Sequence, residues 1–383
     1  MKGTLLLPAY AAARPALGPF MGHLYPRAFT DPTREHLAVR ERAGLFDLSF
    51  MGQYAIEGPG ALALLQRLIT HDASRLGPGQ ILYSPICDEA GGLINDCTVY
   101  RLGAERFIVY TSLRTTSDEL EALGGPAPVT VSDRSEEVAV LALQGPRAPE
   151  TLARLGVAAR VLPYYRSTET AIEGTPVLLS RIGYTGEVGY ELAVAKAGAG
   201  RLWGRLLEAG REEGLTPCGA LALDALRIEA GYLLAGRDFD RTRTPLDAGL
   251  ERLVRFEKGE FRGRAALLTI RERGVPLKLI GVTLPDGSVP DRGAPILRGP
   301  AGAQIGEVTS ACRSPLFGRG LALGYMDRGA VGVGQSVGVV AGGVVRPGVM
   351  AALPFYDPGR ARARRPLGTG PPAEPAGEAA KRA

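Results

Sequence analysis

The sequence is poor in the residues that usually carry metal and redox chemistry. It has 3 histidines and 4 cysteines in 383 residues, and Cys87, Cys97, Cys218 and Cys312 contain no CxxC pair. That spacing argues against a metal site and against a disulfide framework, which makes the cytoplasm the default compartment. No apolar run approaches the ~20 residues of a membrane-spanning helix. The opening Met1 to Pro8 meets its proline too soon to be expected as a signal peptide, so no membrane partner is expected. Phosphate-binding signatures are missing as well. There is no GxxxxGK[ST], and the glycines at 183, 186 and 189 do not follow GxGxxG. Nucleotide and flavin chemistry therefore have no visible anchor.

What is present is an ordinary globular composition, 45% hydrophobic and 22% charged, in a chain long enough for two or three domains. The net charge is +5, and six basic against two acidic residues beyond Gly359 supply four of those charges. The body is thus nearly neutral, and no nucleic-acid partner is expected. Residues 358–383, rich in Pro, Gly, Ala and Arg, read as a disordered basic tail.

Along the chain, a helical pattern over residues 34–43 ends at Gly44 and places His36 on a helix surface. A strand, a Gly-Pro break and a helix occupy residues 54–68, and the same unit recurs from Val138. The recurrence suggests two related α+β halves around a shared sheet. Between them, Leu102 to Glu105 reads as a hairpin turn joining the strand after Asp96 to the run Arg106 to Tyr110. From about residue 265 short β-rich runs separated by Pro and Gly predict a small barrel or sandwich. The expected divisions are 1–262, 263–357 and the tail 358–383.

Three stretches carry candidate chemistry. Gly91 and Gly92 permit a tight turn into a strand, leaving Asp96 either aimed into a cleft or accepting backbone N–H groups. Around Gly183, Gly186 and Gly189 the chain reads either as a loop whose backbone approaches something closely, with the Tyr184 ring and the Glu191 carboxylate at its two ends, or as a Gly-rich surface hairpin. Arg227 sits in a mostly apolar helix and needs a partner there. An internal ion pair with Asp224 or Glu229 would serve, and so would an anionic ligand. Asp47 reads as structural, and the cysteines as small buried hydrophobes.

These stretches fall in order with Glu35-His36-Leu37-Ala38-Val39-Arg40, Ala43-Gly44-Leu45-Phe46-Asp47, Tyr83-Ser84, Leu226-Arg227-Ile228-Glu229, Thr244-Pro245-Leu246-Asp247 and Val308-Thr309-Ser310. The ordered set resembles the folate-dependent aminomethyltransferase family, whose type member is the T-protein of the glycine cleavage system. The resemblance implies an α+β fold of three domains around a central folate channel, with a C-terminal β-barrel. It implies tetrahydrofolate as cofactor, bound by Tyr83, Tyr184, Glu191 and Arg227, and Asp96 as the catalytic carboxylate. It implies no metal, and it puts Phe50, Asn95 and Tyr110 on the substrate side. T-proteins typically have His where this chain has Phe50 and Asp where it has Asn95, a pattern similar to relatives that process other donors. The implied activity is aminomethyl transfer from a small-molecule or carrier-bound donor, a lipoylated carrier protein among them. Alternatives are an N-, O- or S-demethylase using a free substrate, and a non-catalytic folate-binding regulator.

Overall fold

The computed structural model describes residues 1–115, 117–299, 302–330 and 332–367. Two facing sheets form its body. The first has five antiparallel strands in the order Ile81–Cys87, Leu93–Arg101, Arg106–Thr111, Gly52–Glu57, Thr130–Asp133. The second has six, in the order Ser167–Ile172, Thr175–Ser180, Gly189–Ala195, Val138–Gln144, Ala43–Asp47, Leu215–Pro217. The recurring strand, Gly-Pro and helix unit is therefore split between two sheets, Gly52–Glu57 in one and Val138–Gln144 in the other, and the expected shared sheet is corrected to two. Ala43–Asp47 precedes the whole first sheet in the chain yet pairs with Val138–Gln144, so the halves are interleaved.

Strand alternation explains how the sheets pack. In Val138–Gln144, Ala139, Leu141 and Leu143 join the outer core with the helices Ala148–Arg154 and Lys196–Ala209, while Val140 and Ala142 point the other way. Successive side chains on a strand face opposite sides, so a strand buried on both faces has to be apolar at almost every position. The first sheet does the same: Cys97 and Val99 pack outward with the helix Ala61–Leu68, and Tyr100 packs inward. The two inner faces meet in one cluster that also takes Leu223 and Leu226 of the helix Ala220–Glu229.

After the helix Arg264–Arg273 the chain closes a six-stranded barrel, in the order Leu277–Leu284, Arg319–Asp327, Gln304–Ser314, Pro295–Leu297, Ser336–Ala341, Val344–Ala351. Closure leaves no free edge. Beyond it the tail expectation needs correction for residues 358–367. A short helix, Ala361–Arg364, forms there, and Leu367 is buried in the outer core of the second sheet. Buried Arg181 holds this segment by donating to the carbonyls of Ala363 (3.3 Å) and Arg365 (2.5 Å). The remainder of that expectation, residues 368–383, lies outside the described residues. Among the described residues, no helix is long and apolar enough to cross a membrane.

The helix Pro32–Glu41 is started by Asp31, whose carboxylate accepts from the backbone N–H of Arg34 at 2.9 Å, with proline at its first turn. His36 on this helix is fully buried, not on a helix surface as its charged neighbours suggested. Its Nε2 donates to Glu229, 193 residues away in sequence. Asp47 is structural as expected, accepting from Thr4, Tyr10 and the Ser49 N–H.

Candidate functional site

A cavity of about 930 Å³ opens between the inner faces of the two sheets. Several rings reach its wall, Phe20, Phe50, Tyr83, Tyr110, Tyr184 and Tyr232 among them. It is therefore shaped for a flat, partly apolar ligand that needs a few fixed polar contacts.

Asp96 supplies one of those contacts. Gly91 adopts φ +83, and a Cβ on Gly92 would lie 2.3 Å from the Arg241 carbonyl, so only this glycine pair lets the hairpin tuck beneath residues 241–243. The strand Leu93–Arg101 leaves that turn with Asp96 paired opposite Pro85 and Thr98 opposite Tyr83. Asp96 is 5% exposed; its Oδ2 accepts from the Tyr83 hydroxyl at 2.9 Å, and its buried Oδ1 has no hydrogen-bond partner among the described residues. Burial pushes the carboxyl up, against the partly compensating hydroxyls of Ser112 and Tyr83. Of the two readings of the sequence, the cleft is the one realised: the backbone turn is held by Asp88, whose Oδ1 accepts from Ala90 and Gly92.

Glu191 lies on the facing sheet, paired between Ser180 and Ala142. Among the described residues its single side-chain hydrogen-bond partner is the Tyr100 hydroxyl, a long contact 3.4 Å from Oε2. Burial raises its carboxyl to about 7, with Tyr100 offsetting only part. Tyr110 stands edge-on to Tyr100, ring centres 5.1 Å apart, and its own pKa is pushed up by burial and by Glu191. Tyr184 stacks on Tyr232 with centroids 5.5 Å apart and planes 15° off parallel. Its hydroxyl donates to the Leu233 carbonyl.

The glycine-rich turn before Glu191 closely approaches a side chain, and its Gly183 and Gly186 also line the cavity. A Cβ on Gly183 would lie 1.9 Å from Gln144 Oε1, and one on Gly189 2.3 Å from Gln144 Nε2. Gln144 is threaded between them, donating to the Ile182 carbonyl and accepting from the Thr185 hydroxyl at 2.9 Å.

Arg227 touches the cavity wall, but most of its N–H donors are committed. They go to Asp224 (2.8 Å from Nε, 2.7 Å from Nη2), Asp238, the Tyr232 carbonyl (3.1 Å) and Ser310 of the barrel (2.8 Å). The internal pair with Asp224 forms, and Glu229 is engaged elsewhere. Asn95 faces away from the cavity: its amide donates to the Leu113 carbonyl and its oxygen accepts from Leu113 and Asp96 N–H, an internal brace for the Asp96 strand. Phe50 and Tyr110 do line the cavity, Phe50 edge-on to Phe20 at 5.1 Å. Sequence reasoning missed Tyr164, Tyr165, Tyr232 and Tyr356 on the wall. The adjacent pair Tyr164-Tyr165 in a polar stretch was the one local signal.

Comparison with known proteins supplies the lineage. The sequence model of the GCVT N-terminal domain matches residues 6–258, and that of the glycine cleavage T-protein C-terminal barrel domain matches residues 278–357. The chain belongs to the glycine cleavage T-protein family of aminomethyltransferases. Within this T-protein family, an aminomethyltransferase from Moorella thermoacetica is 42% identical over 93% of this chain and 98% of its own length. One from Halothermothrix orenii is 38% identical over 93% of this chain and 100% of its own. The crystal structure of the glycine cleavage system aminomethyltransferase T from Bartonella henselae superposes with a TM-score of 0.85 at 31% identity, covering 93% of this chain and 98% of that one. The three-domain α+β architecture ending in a barrel is thereby shared with a T-protein family member.

Proposed function

We propose that this chain transfers an aminomethyl-derived carbon to tetrahydrofolate, with Asp96 as the catalytic carboxylate. The observation that carries the reading is Asp96 Oδ1, a buried acceptor on the cavity wall without a partner among the described residues. An orphaned buried oxygen is costly to keep unless a ligand satisfies it.

The residues present fit a reduced folate. Its pterin is a flat ring whose edge offers N–H donors, which the ionised Glu191 can accept, while Tyr184 and Tyr83 flank the ring faces. Tetrahydrofolate, when bound, supplies the nitrogen that receives the carbon. Asp96 holds or takes up that nitrogen's proton at Oδ1, and its charge favours a cationic one-carbon donor. Tyr83 orients the carboxylate by donating to Oδ2. Arg227 contributes by fixing the Tyr232 carbonyl, and through it the ring stacked on Tyr184.

The donor we propose is an aminomethyl group on a lipoylated carrier protein, as in the glycine cleavage system for which its relatives are named. Four free cysteines, three of them buried, suit a reducing cytoplasm. A second reading is favoured by one observation: Phe20, Leu48, Phe50 and Met51 make part of the cavity wall apolar. That wall would suit a demethylase taking a small free N-methyl donor. Incubation with tetrahydrofolate and either aminomethylated carrier or N-methyl amines, with the folate product identified by mass, separates the two. Failure of any reduced folate to give heat in calorimetry sinks both.

A further inference from the structure

We propose that Arg40 is a positioning residue for the cavity wall made by Gly186 and Tyr356. The inference rests on the folate reading only for the ligand used to test it. Arg40 lies in the helix Pro32–Glu41, is fully buried, and does not itself line the cavity between the sheets. Its guanidinium instead joins three distant segments. Nε and Nη2 donate to Glu229 Oε2 at 3.0 and 2.7 Å, and Nη2 also to the Leu226 carbonyl at 3.3 Å. Nη1 donates to the Thr185 carbonyl at 2.8 Å and to Glu187 at 3.3 Å.

The guanidinium carbon also lies 3.8 Å from the centre of the Tyr356 ring. Tyr356 arrives from beyond the barrel and is tied twice more. Its hydroxyl donates to Glu187, and its backbone N–H to the Glu229 carbonyl at 2.7 Å. Its ring lines the cavity beside Gly186, where an added Cβ would lie 3.5 Å from Tyr356 Cδ1 and 3.0 Å from Ala230 Cβ. One planar, many-donor cation thus sets the relative position of the glycine turn, the end of the helix Ala220–Glu229 and the post-barrel ring. Lysine keeps the charge but not the fork, so it cannot span Glu229, Glu187 and two carbonyls together.

The test uses the full chain with Arg40→Lys and Tyr356→Phe, singly and combined, titrated with tetrahydrofolate by calorimetry and assayed at saturating folate. Arg40→Lys is expected to raise Kd about tenfold while kcat falls by no more than about threefold. Tyr356→Phe, which deletes only the hydroxyl on Glu187, is expected to raise Kd about threefold, and the double variant to match Arg40→Lys alone, because contacting residues are not additive. A role confined to stability would lower the melting temperature and leave the Kd of the folded variants unchanged; that result overturns the proposal, as does strict additivity. If Arg40→Lys does not fold, Tyr356→Phe decides alone, and an unchanged Kd overturns it. If the wild-type protein binds no tetrahydrofolate, the functional reading has failed instead. Amide hydrogen exchange of residues 185–187 and Tyr356 then decides: faster exchange in the folded variants supports the positioning role, and equal exchange overturns it.

Discussion

The cavity and the cluster behind it treat the same chemical group in opposite ways. Asp96 and Glu191 face the cavity with hydroxyl partners, and among the described residues no guanidinium or ammonium bonds either of them. Burial therefore pushes both carboxyls up, Glu191 to about 7. Glu229 is fully buried, which by itself would raise it too, yet Arg40 and His36 hold it down at about 2. Burial sets how expensive a charge is, and the adjacent cation decides whether the charge is kept. Glu229, which clamps elements together, is paired with a cation, and the two carboxylates that face the cavity are not.

The contrast is broken most severely at Asp96. Asp96→Asn keeps the shape but removes the base, and turnover is expected to fall by ~10³-fold or more, with tetrahydrofolate affinity within a few-fold of wild type. Steady-state kinetics beside calorimetry check this; a rate within a few-fold of wild type refutes the role. Glu229→Gln strikes the paired side instead. It leaves the buried Arg40 guanidinium with only the longer contact to Glu187 as a charge partner, and about 3 kcal/mol of stability should be lost, read as a shift of the denaturant midpoint. A loss below about 1 kcal/mol would show that the pair holds little.

Glu191 sharpens the comparison through pH. Its folded-state pKa of about 7 lies above the ordinary 4.5, so between those values the folded protein keeps a proton that the unfolded chain has released. Stability then falls as pH rises through that window. Glu191→Gln should remove this slope, so the variant's melting temperature gains on wild type from pH 4.5 to 7 and runs parallel above. Folate affinity of the wild type should rise over pH 6 to 8 as the acceptor ionises, and the Gln variant should not follow. The smallest effect is expected at Tyr83→Phe, which removes one hydroxyl donor from Asp96 and should lower kcat about fivefold with little change in melting temperature. An unchanged kcat would mean that Asp96 needs no orienting partner.

Much of the site was legible in the chain because its signals are local. The turn at Gly91 and Gly92, the strand that follows, and the barrel's Pro- and Gly-spaced runs all depend on near neighbours. Asp96, Tyr83, Tyr184 and Glu191 could be singled out on those grounds together with the order of the motifs, and all four meet at one cavity. Asn95 was misplaced because strand residues alternate: one position from Asp96 is the opposite face. His36 was misread because charged residues precede it on the helix, and such a helix looks solvated until its partners are known. Arg227 was half legible. Asp224, three residues away, was a visible partner, whereas Asp238 and Ser310 were not.

By itself the sequence determined the elements that near neighbours dictate: the two strand, Gly-Pro and helix units, the glycine turns, the barrel and the family to which they belong. Tertiary structure alone decided which polar groups became partners. It split the two units into facing sheets, threaded Gln144 between Gly183 and Gly189, ordered residues 358–367 against Arg181, and brought Arg40, Glu187, Glu229 and Tyr356 onto one guanidinium. The physical reason is range. Backbone preference acts over a few residues, whereas a buried charge is stabilised by whatever the fold carries to within hydrogen-bonding distance, however far away it lies in the chain.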